Sequence, residues 1–111
     1  MKTETLKLNK EFKRAYYRGK SAVRPSVVVY VLKNRNGKNR LGLTCGKAVG
    51  GAVRRNRAKR LMRESYRLLE KRLKTGFDIV LVARSRTADK PFSAVDADLQ
   101  AALQKLEMFF A

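Results

Sequence analysis

The spacing of apolar and polar residues along the chain predicts three helices and two or three strands. Apolar residues recur every three or four positions in the helical segments, whereas runs rich in β-branched residues, such as SVVVYVL, are typical of buried strands. Asn9 is the expected cap of the first helix and Gly19 its stop, and Ser93 with Asp96 predicts a capping box on the last. The predicted elements are a helix over 6–18, strands over 26–32 and 40–45, a helix from Gly50-Gly51 to about Thr75, a strand over 77–83 and a helix from Ser93 onward.

These elements indicate an α+β fold in which three helices pack on a small central sheet. The 111 residues form a single domain, 1–111, with no internal repeat. The turn-forming residues at 34–37 predict that strands 26–32 and 40–45 pair as an antiparallel hairpin. Because a long helix separates strand 40–45 from strand 77–83, these two are expected to be parallel neighbours joined by a crossover.

The long central helix is both amphipathic and strongly cationic. Between Arg54 and Lys74 there are ten Lys or Arg residues against two acids, Glu64 and Glu70, so this segment contributes +8 of the net charge of +18. On a helical wheel the side expected to face the sheet holds Ala58, Leu61, Met62, Ser65, Tyr66, Leu68, Leu69 and Leu73. The opposite side holds Asn56, Lys59, Arg60, Arg63, Arg67 and Lys74. With so few acids among the cations, this side is expected to bind a polyanion rather than only water.

The start of the central helix adds to this expectation. Arg54, Arg55 and Arg57 are predicted to lie in the first turn, where the helix dipole disfavours each cation by about 0.3–1 kcal/mol. The cost is understandable if an anion binds there, because unpaired N–H groups at a helix start and arginine side chains both bind phosphate. The helix is therefore predicted to bind RNA or DNA.

The first helix presents a second candidate surface. Leu8, Phe12, Ala15 and Tyr16 share one face, and Leu8 with Ala15 would suffice to dock the helix. Phe12 and Tyr16, one turn apart, are then either core residues or a pair of exposed rings. Tyr30, in the valine-rich strand, presents the same alternative, and the pattern alone leaves both open.

Composition excludes several function classes. The chain has no histidine, and its single Cys45 is expected to be a small buried strand residue rather than a nucleophile. The acids do not converge, and no nucleotide-binding or zinc-ligand spacing occurs, so we expect a binding subunit without a small-molecule substrate.

No apolar N-terminal region or stretch of about 18–20 apolar residues is present, which predicts a cytoplasmic protein without a membrane partner. Residues 91–111 carry one base and three acids, so the last helix is expected to face away from the nucleic acid.

From 53 to 64 the chain reads VRRNRAKRLMRE and closely resembles the RNR motif of the bacterial ribonuclease P protein component. The resemblance covers nearly the whole chain, including the segment 12–19, the Tyr30 strand, Gly42-Leu43-Thr44 leading to Lys47, and the apolar strand before Arg84. It implies an α+β fold with a left-handed βαβ crossover, whereas the general rule for crossovers is right-handed. It also implies a ribonucleoprotein endoribonuclease in which a catalytic RNA holds the Mg²⁺ ions and precursor tRNA is cleaved at its mature 5′ end. The protein alone is expected to be neither catalytic nor the holder of a cofactor.

The resemblance also assigns roles to residues. Phe12, Tyr16 and Tyr30 match the rings of a cleft that receives the single-stranded 5′ leader, where stacking contributes about 1–3 kcal/mol per base. The residues expected to bind RNA are Lys47, Arg54, Arg55, Asn56, Arg57, Lys59, Arg60, Arg63 and Arg67. Many members have Asn where Gly51 stands and a second Lys where Ala48 stands, so two contacts are either absent here or supplied by Arg54.

Two other function classes fit the composition. A small ribosomal protein would be equally basic, but it needs no aromatic cleft. A DNA compaction protein would dimerise and insert apolar wedges, for which Phe109 and Phe110 are the candidates, in the least basic part of the chain. The specificity of the motif favours tRNA processing, whereas composition alone does not separate it from the ribosomal alternative.

Overall fold

A computed structural model describes residues 3–110 as one mixed sheet with three helices. The strands are β1 (Glu4–Thr5), β2 (Lys20–Val23), β3 (Val27–Lys33), β4 (Arg40–Thr44) and β5 (Phe77–Ala83). The helices are α1 (Asn9–Arg18), α2 (Ala52–Leu69) and α3 (Phe92–Lys105), and short 3₁₀ turns span Lys47–Val49, Glu70–Arg72 and Thr87–Asp89. The predicted α+β class is confirmed.

The strand order is β1-β4-β5-β3-β2. β4 pairs in parallel with β5, which confirms the predicted crossover through α2; its hand stays a prediction. The predicted hairpin of 26–32 with 40–45 is wrong, because β5 lies between the two strands and pairs antiparallel with β3. The loop between β3 and β4 is hydrogen-bonded to the start of β5. The Asn34 backbone N–H donates to the Gly76 carbonyl at 2.8 Å, and the Asn34 side-chain amide donates to Asp78 at 2.9 Å.

The sheet has two edge strands that the apolar pattern did not indicate. β1 has two residues and pairs in parallel with β4, and β2 pairs antiparallel with β3. The four residues of β2 show no clear alternation of apolar and polar residues, and only Ala22 among them is buried. Edge strands with one neighbour and a polar outer face carry a weak sequence signal.

The central strands alternate their side chains between two apolar layers. Ile79 and Leu81 of β5 face the main core, which α2 and α3 cover, whereas Val80 faces a smaller core under α1. α2 contributes Ala58, Met62, Tyr66 and Leu69 to the main core, as its wheel predicted. Leu68 is an exception, because it is exposed. The sheet thus separates the basic helix from α1.

The ends of α1 differ in part from the prediction. The helix begins at Asn9 rather than at 6, so Asn9 is its first helical residue and not its cap. The Glu11 carboxylate instead accepts the Leu8 N–H at 3.0 Å. Leu8 does not dock the helix, since it is 51% exposed; Ala15 and the preceding Leu6 are buried. Gly19 ends the helix as predicted, in a place where a Cβ would lie 2.8 Å from the Val31 carbonyl oxygen.

The other two helices also differ at their ends. α2 ends at Leu69 rather than near Thr75, because the chain turns and Leu73 pairs with Phe109. α3 begins at Phe92, so the predicted capping box at Ser93 is wrong. The Asp96 carboxylate accepts the Ser65 hydroxyl at 2.6 Å instead, which joins α3 to α2.

Candidate nucleic-acid interface

The predicted RNA-binding residues lie along one segment of the chain, from Lys47 to Arg67. Eight are on α2, and Lys47 lies in the 3₁₀ turn just before it. The exposed members of this set are Lys47, Asn56, Arg57, Arg60, Arg63 and Arg67. Arg54, Arg55 and Lys59 are partly buried. The amphipathic sequence of α2 places these side chains away from the core, because its apolar residues occupy the sheet side.

Because α2 begins at Ala52, Arg54 lies in its first turn as predicted, whereas Arg57 lies in the second turn and not the first. Both arginines form hydrogen bonds with other parts of the protein. The Arg54 Nε donates to the Val49 carbonyl at 2.8 Å, and its terminal nitrogens donate to Asp89 at 2.7 and 3.0 Å. The Arg57 Nε donates to the Ala88 carbonyl at 2.8 Å. Hydrogen bonds from Arg54 hold the pKa of Asp89 below its usual range. These arginines therefore fix the turn before α3 against α2, and the charge of Arg54 is offset, which the sequence did not indicate.

Further along α2 the cations differ in pairing. Arg67 forms a salt bridge with Glu64 at 3.0 Å, one turn earlier in the helix, and this hydrogen bond lowers the pKa of Glu64. Within residues 3–110, no acid forms a salt bridge with Arg55, Lys59, Arg60 or Arg63. The middle of the helix is thus the part whose positive charge is available to a ligand.

Cys45 lies beside this helix, one residue past the end of β4, and is partly buried rather than fully buried within a strand. Its thiol lies 3.6 Å from the Arg55 carbonyl oxygen, which it faces as a donor. Burial raises the pKa of the thiol despite the nearby cations Lys59 and Arg55. A thiol in this state is a weak nucleophile, in agreement with the packing role expected for Cys45.

The three predicted cleft residues come together on the α1 side of the sheet. The rings of Tyr16 and Tyr30 are perpendicular, with centroids 5.0 Å apart. Phe12 and Tyr30 are partly buried on the small core, while Tyr16 is 40% exposed. Asn9, Lys13 and Thr44 complete the cleft around Phe12 and Tyr16. We call this surface the aromatic cleft.

The aromatic cleft and the basic helix lie on opposite faces of the sheet but approach each other at its β1 edge. Phe12 also borders a small cavity that Lys59 and Arg63 reach from α2, with Leu41 and Leu43 in its wall. Phe12 therefore lines the cleft on one side and, on the other, the cavity that Lys59 and Arg63 also line. Phe12 lies against Gly42 of β4, the strand that leads into the segment before α2.

A partly buried ionic network holds α1 in place beside the cleft. The Arg40 Nε and Nη2 donate to Asp78 at 2.8 and 2.7 Å, and its Nη1 donates to Glu11. Hydrogen bonds from the Leu8 N–H, and the charge of Arg40, lower the pKa of Glu11. Sequence reasoning missed this network, although Asp78 in the apolar strand FDIVLVA was a usable signal: a buried carboxylate needs a partner.

The described part of the chain offers neither a metal-binding cluster nor a membrane-spanning helix. Among residues 3–110 no three Cys, Asp or Glu side chains are grouped so that they could hold a metal ion. No helix in the same range is long and apolar enough to cross a membrane.

The fold and this surface define a class: small, basic α+β proteins whose unpaired cations and clustered rings are typical of nucleic-acid-binding domains. A family model described as Ribonuclease P matches residues 1–107. The chain is 44% identical over 110 residues to the ribonuclease P protein component of Clostridium botulinum strain Loch Maree, with 98% of this chain and 99% of that protein covered. It is 38% identical over 111 residues to the same component of Thermoanaerobacter strain X514, with 98% and 96% covered. The chain belongs to the bacterial ribonuclease P protein family, the protein component of a tRNA-processing ribonucleoprotein endonuclease.

Solved structures agree with this assignment. The RNase P protein of Staphylococcus aureus superposes with a TM-score of 0.87 at 30% identity, covering 98% of this chain and 100% of that one. The RNase P protein of Thermotoga maritima superposes with a TM-score of 0.78 at 32% identity, covering 88% and 93%. The five-stranded mixed sheet and three helices are therefore the fold of these proteins.

Proposed function

We propose that this protein binds the catalytic RNA of ribonuclease P through α2 and the 5′ leader of precursor tRNA through the aromatic cleft. Binding at both sites would promote Mg²⁺-dependent removal of the leader to give the mature 5′ end. The observation that carries the proposal is the position of Phe12, which borders both the cleft and the cavity reached by Lys59 and Arg63. A substrate strand in the cleft would thus lie beside the surface that binds the catalytic RNA.

The cleft suits a single strand of variable sequence. The rings of Phe12 and Tyr16 line it and offer apolar surface to bases, with Tyr30 packed perpendicular to Tyr16. Base stacking contributes about 1–3 kcal/mol without reading hydrogen-bond edges. Lys13 at the rim supplies a cation for the backbone. Leaders of different tRNA precursors could bind in the same way.

The α2 surface suits a structured RNA. Arg60 and Arg63 are exposed and Lys59 is half-buried, and among the described residues none of the three forms a salt bridge. Each phosphate contact such cations make releases counterions, so binding strengthens as salt is lowered. Arg54 and Arg57 would contribute mainly by holding the turn 87–89 in place, in addition to any contact with RNA.

In this proposal the chain supplies binding and charge, and the RNA supplies catalysis. The Mg²⁺ ions would be held mainly by the RNA subunit and would provide the activation of water that hydrolysis requires. The protein would orient the leader and reduce phosphate repulsion between the two RNAs. The complex would act in the cytoplasm, without a membrane or small-molecule partner.

The test is cleavage of a 5′-labelled precursor tRNA at low Mg²⁺ with protein alone, bacterial ribonuclease P RNA alone, and both together. We expect cleavage at the mature 5′ end only when both are present. If the protein adds nothing to the RNA alone, the proposal fails and the ribosomal alternative is favoured.

A further inference from the structure

A second basic groove lies on the outer side of α1. It runs between this helix and the loop that follows β3, and it has a volume of about 830 Å³. Seven cations line it: Lys10, Lys13, Arg14, Arg18, Lys33, Arg35 and Arg40. We call this surface the outer groove. Its residues are distinct from those of the aromatic cleft, except for Lys13.

The positive charge of the outer groove is not offset by acids. Asp78 is the one acid in its lining, and it is already paired with Arg40. Over residues 3–110, none of the other six lining cations forms a salt bridge. Six like charges around one groove repel one another, so a polyanion that enters relieves this repulsion.

The outer groove also contains an exposed ring. Tyr17 is 87% exposed, and it lies on the same side of α1 as Lys10, Arg14 and Arg18, which are spaced along one stripe of the helix. Cations that track a backbone together with a ring that stacks on bases are how proteins bind single-stranded nucleic acid without sequence preference. A duplex, whose bases are already stacked, would make no use of the ring. The ligand class indicated is therefore single-stranded RNA.

Lys13 connects the two surfaces, because it lines both the aromatic cleft and the outer groove. At about 100° per residue, Lys13 lies between Tyr16 and Tyr17 around the helix and roughly opposite the buried Ala15. A strand that leaves the cleft over Lys13 has only to cross one helix, about 10 Å wide, to enter the outer groove.

We propose that the outer groove binds the distal part of the single-stranded 5′ leader, beyond the nucleotides held in the aromatic cleft. This inference rests on the proposed function and extends it. It requires that the contribution of the groove depend on leader length, because a short leader ends before it reaches Tyr17.

The experiment measures equilibrium binding of the assembled RNA–protein complex to precursor tRNAs with leaders of about 4 and about 16 nucleotides, the range of site sizes found for OB-fold proteins that bind single strands. It compares the unmodified protein with Tyr17→Ala, with the double variant Lys10→Ala and Arg14→Ala, and with Lys105→Ala on α3 as a matched control. We expect Tyr17→Ala to weaken binding of the long-leader precursor about fivefold or more, the effect of losing one base stack, and to leave the short-leader precursor unchanged. The double variant should reduce the salt dependence for the long leader alone, by about 0.7 log units for each phosphate that is no longer bound.

Several results would overturn the inference. If the variants weaken binding of both precursors equally, the groove contacts the catalytic RNA or the tRNA body rather than the leader. If they weaken binding of neither precursor, the groove does not bind RNA. If the unmodified complex binds the two precursors equally well, the groove has no role in binding the leader. If the proposed function itself is wrong, the result is different: the protein does not strengthen binding of even the short-leader precursor relative to the RNA alone. Thermal unfolding of the free variants should be unchanged, since these side chains are exposed.

Discussion

The ring of Phe12 lies directly over Gly42 of β4. A Cβ at Gly42 would lie 2.7 Å from Cζ of Phe12 and closer still to Cε1, well inside contact distance. The missing side chain of one residue thus determines how deeply the ring of another sits in the aromatic cleft.

We predict that Gly42→Ala pushes the Phe12 ring outward and weakens leader binding. The loss in affinity should be about fivefold, corresponding to one impaired stack, with a decrease of about 1–2 kcal/mol in the free energy of unfolding from overpacking. The measurement is binding of leader-containing precursor tRNA together with urea unfolding. Gly46→Ala is the matched control, because its Cβ would meet no atom within 4 Å. Full leader affinity in a destabilised Gly42→Ala protein would remove Phe12 from the binding surface.

Replacing Phe12 and Tyr16 with Ala should weaken precursor tRNA binding about fivefold to a hundredfold while leaving mature tRNA binding nearly unchanged. The reason is that only the precursor has a leader to stack on these rings. Tyr16→Ala is the cleaner single variant, because Tyr16 is more exposed than Phe12 and contributes less to packing. Equal losses for the two tRNAs would exclude a leader-specific role for the cleft.

The double variant Arg60→Ala and Arg63→Ala should weaken assembly with the catalytic RNA. Removing one cation that binds a phosphate reduces the slope of log affinity against log salt by about 0.7–0.9, so the double variant should reduce it by about 1.4–1.8. A salt titration of binding measures this slope, with Lys105→Ala as a control on the far helix. A slope equal to that of the unmodified protein would mean that the middle of α2 faces solvent in the complex.

Removing Asp89, the partner of Arg54, should strengthen binding to the catalytic RNA. In Asp89→Ala the Arg54 guanidinium loses two hydrogen bonds and an offsetting charge, which leaves it available to phosphate. We expect tighter binding to the catalytic RNA and a salt slope steeper by about 0.7–0.9. The same salt titration detects it. An unchanged slope would show that Arg54 stays on the Val49 carbonyl and does not contact RNA.

Acid should destabilise the protein partly through Glu11. Hydrogen bonds from the Leu8 N–H and the charge of Arg40 lower the pKa of this carboxyl in the folded state. Its contribution to stability is therefore fully present above its unfolded pKa of about 4.3, and it is lost as the pH falls through the lower folded value. Glu11→Gln should be less stable than the unmodified protein at pH 7, with the difference shrinking as the pH falls below about 4.

Urea unfolding at a series of pH values measures this difference. Glu4→Gln, which removes an exposed carboxylate from β1, is the control and should show no such trend. A Glu11→Gln protein whose deficit is the same at all pH values would assign the effect to packing rather than to the charge of Glu11.

Much of the fold was predictable because it is encoded locally. The 3.6-residue period of α2 identified the buried Ala58, Met62 and Tyr66, and the length of the segment between β4 and β5 predicted their parallel pairing. The strand order was not predictable in the same way. Turn residues at 34–37 are compatible with a hairpin, and only the better burial of β5 between β3 and β4 decides against it.

The same distinction between local and long-range relationships applies to the candidate site. The sequence by itself determined that α2 is a cationic helix, that rings are spaced along α1, and to which family the motif belongs, because periodicity, charge density and motif depend on neighbouring residues. Only the tertiary structure decided that Arg54 is paired with Asp89, 35 residues away, that Arg40 joins Glu11 to Asp78, and that Phe12 lies over Gly42. Those relationships depend on distances of a few ångströms between distant segments, and such distances exist only once the order of the strands has brought the segments together.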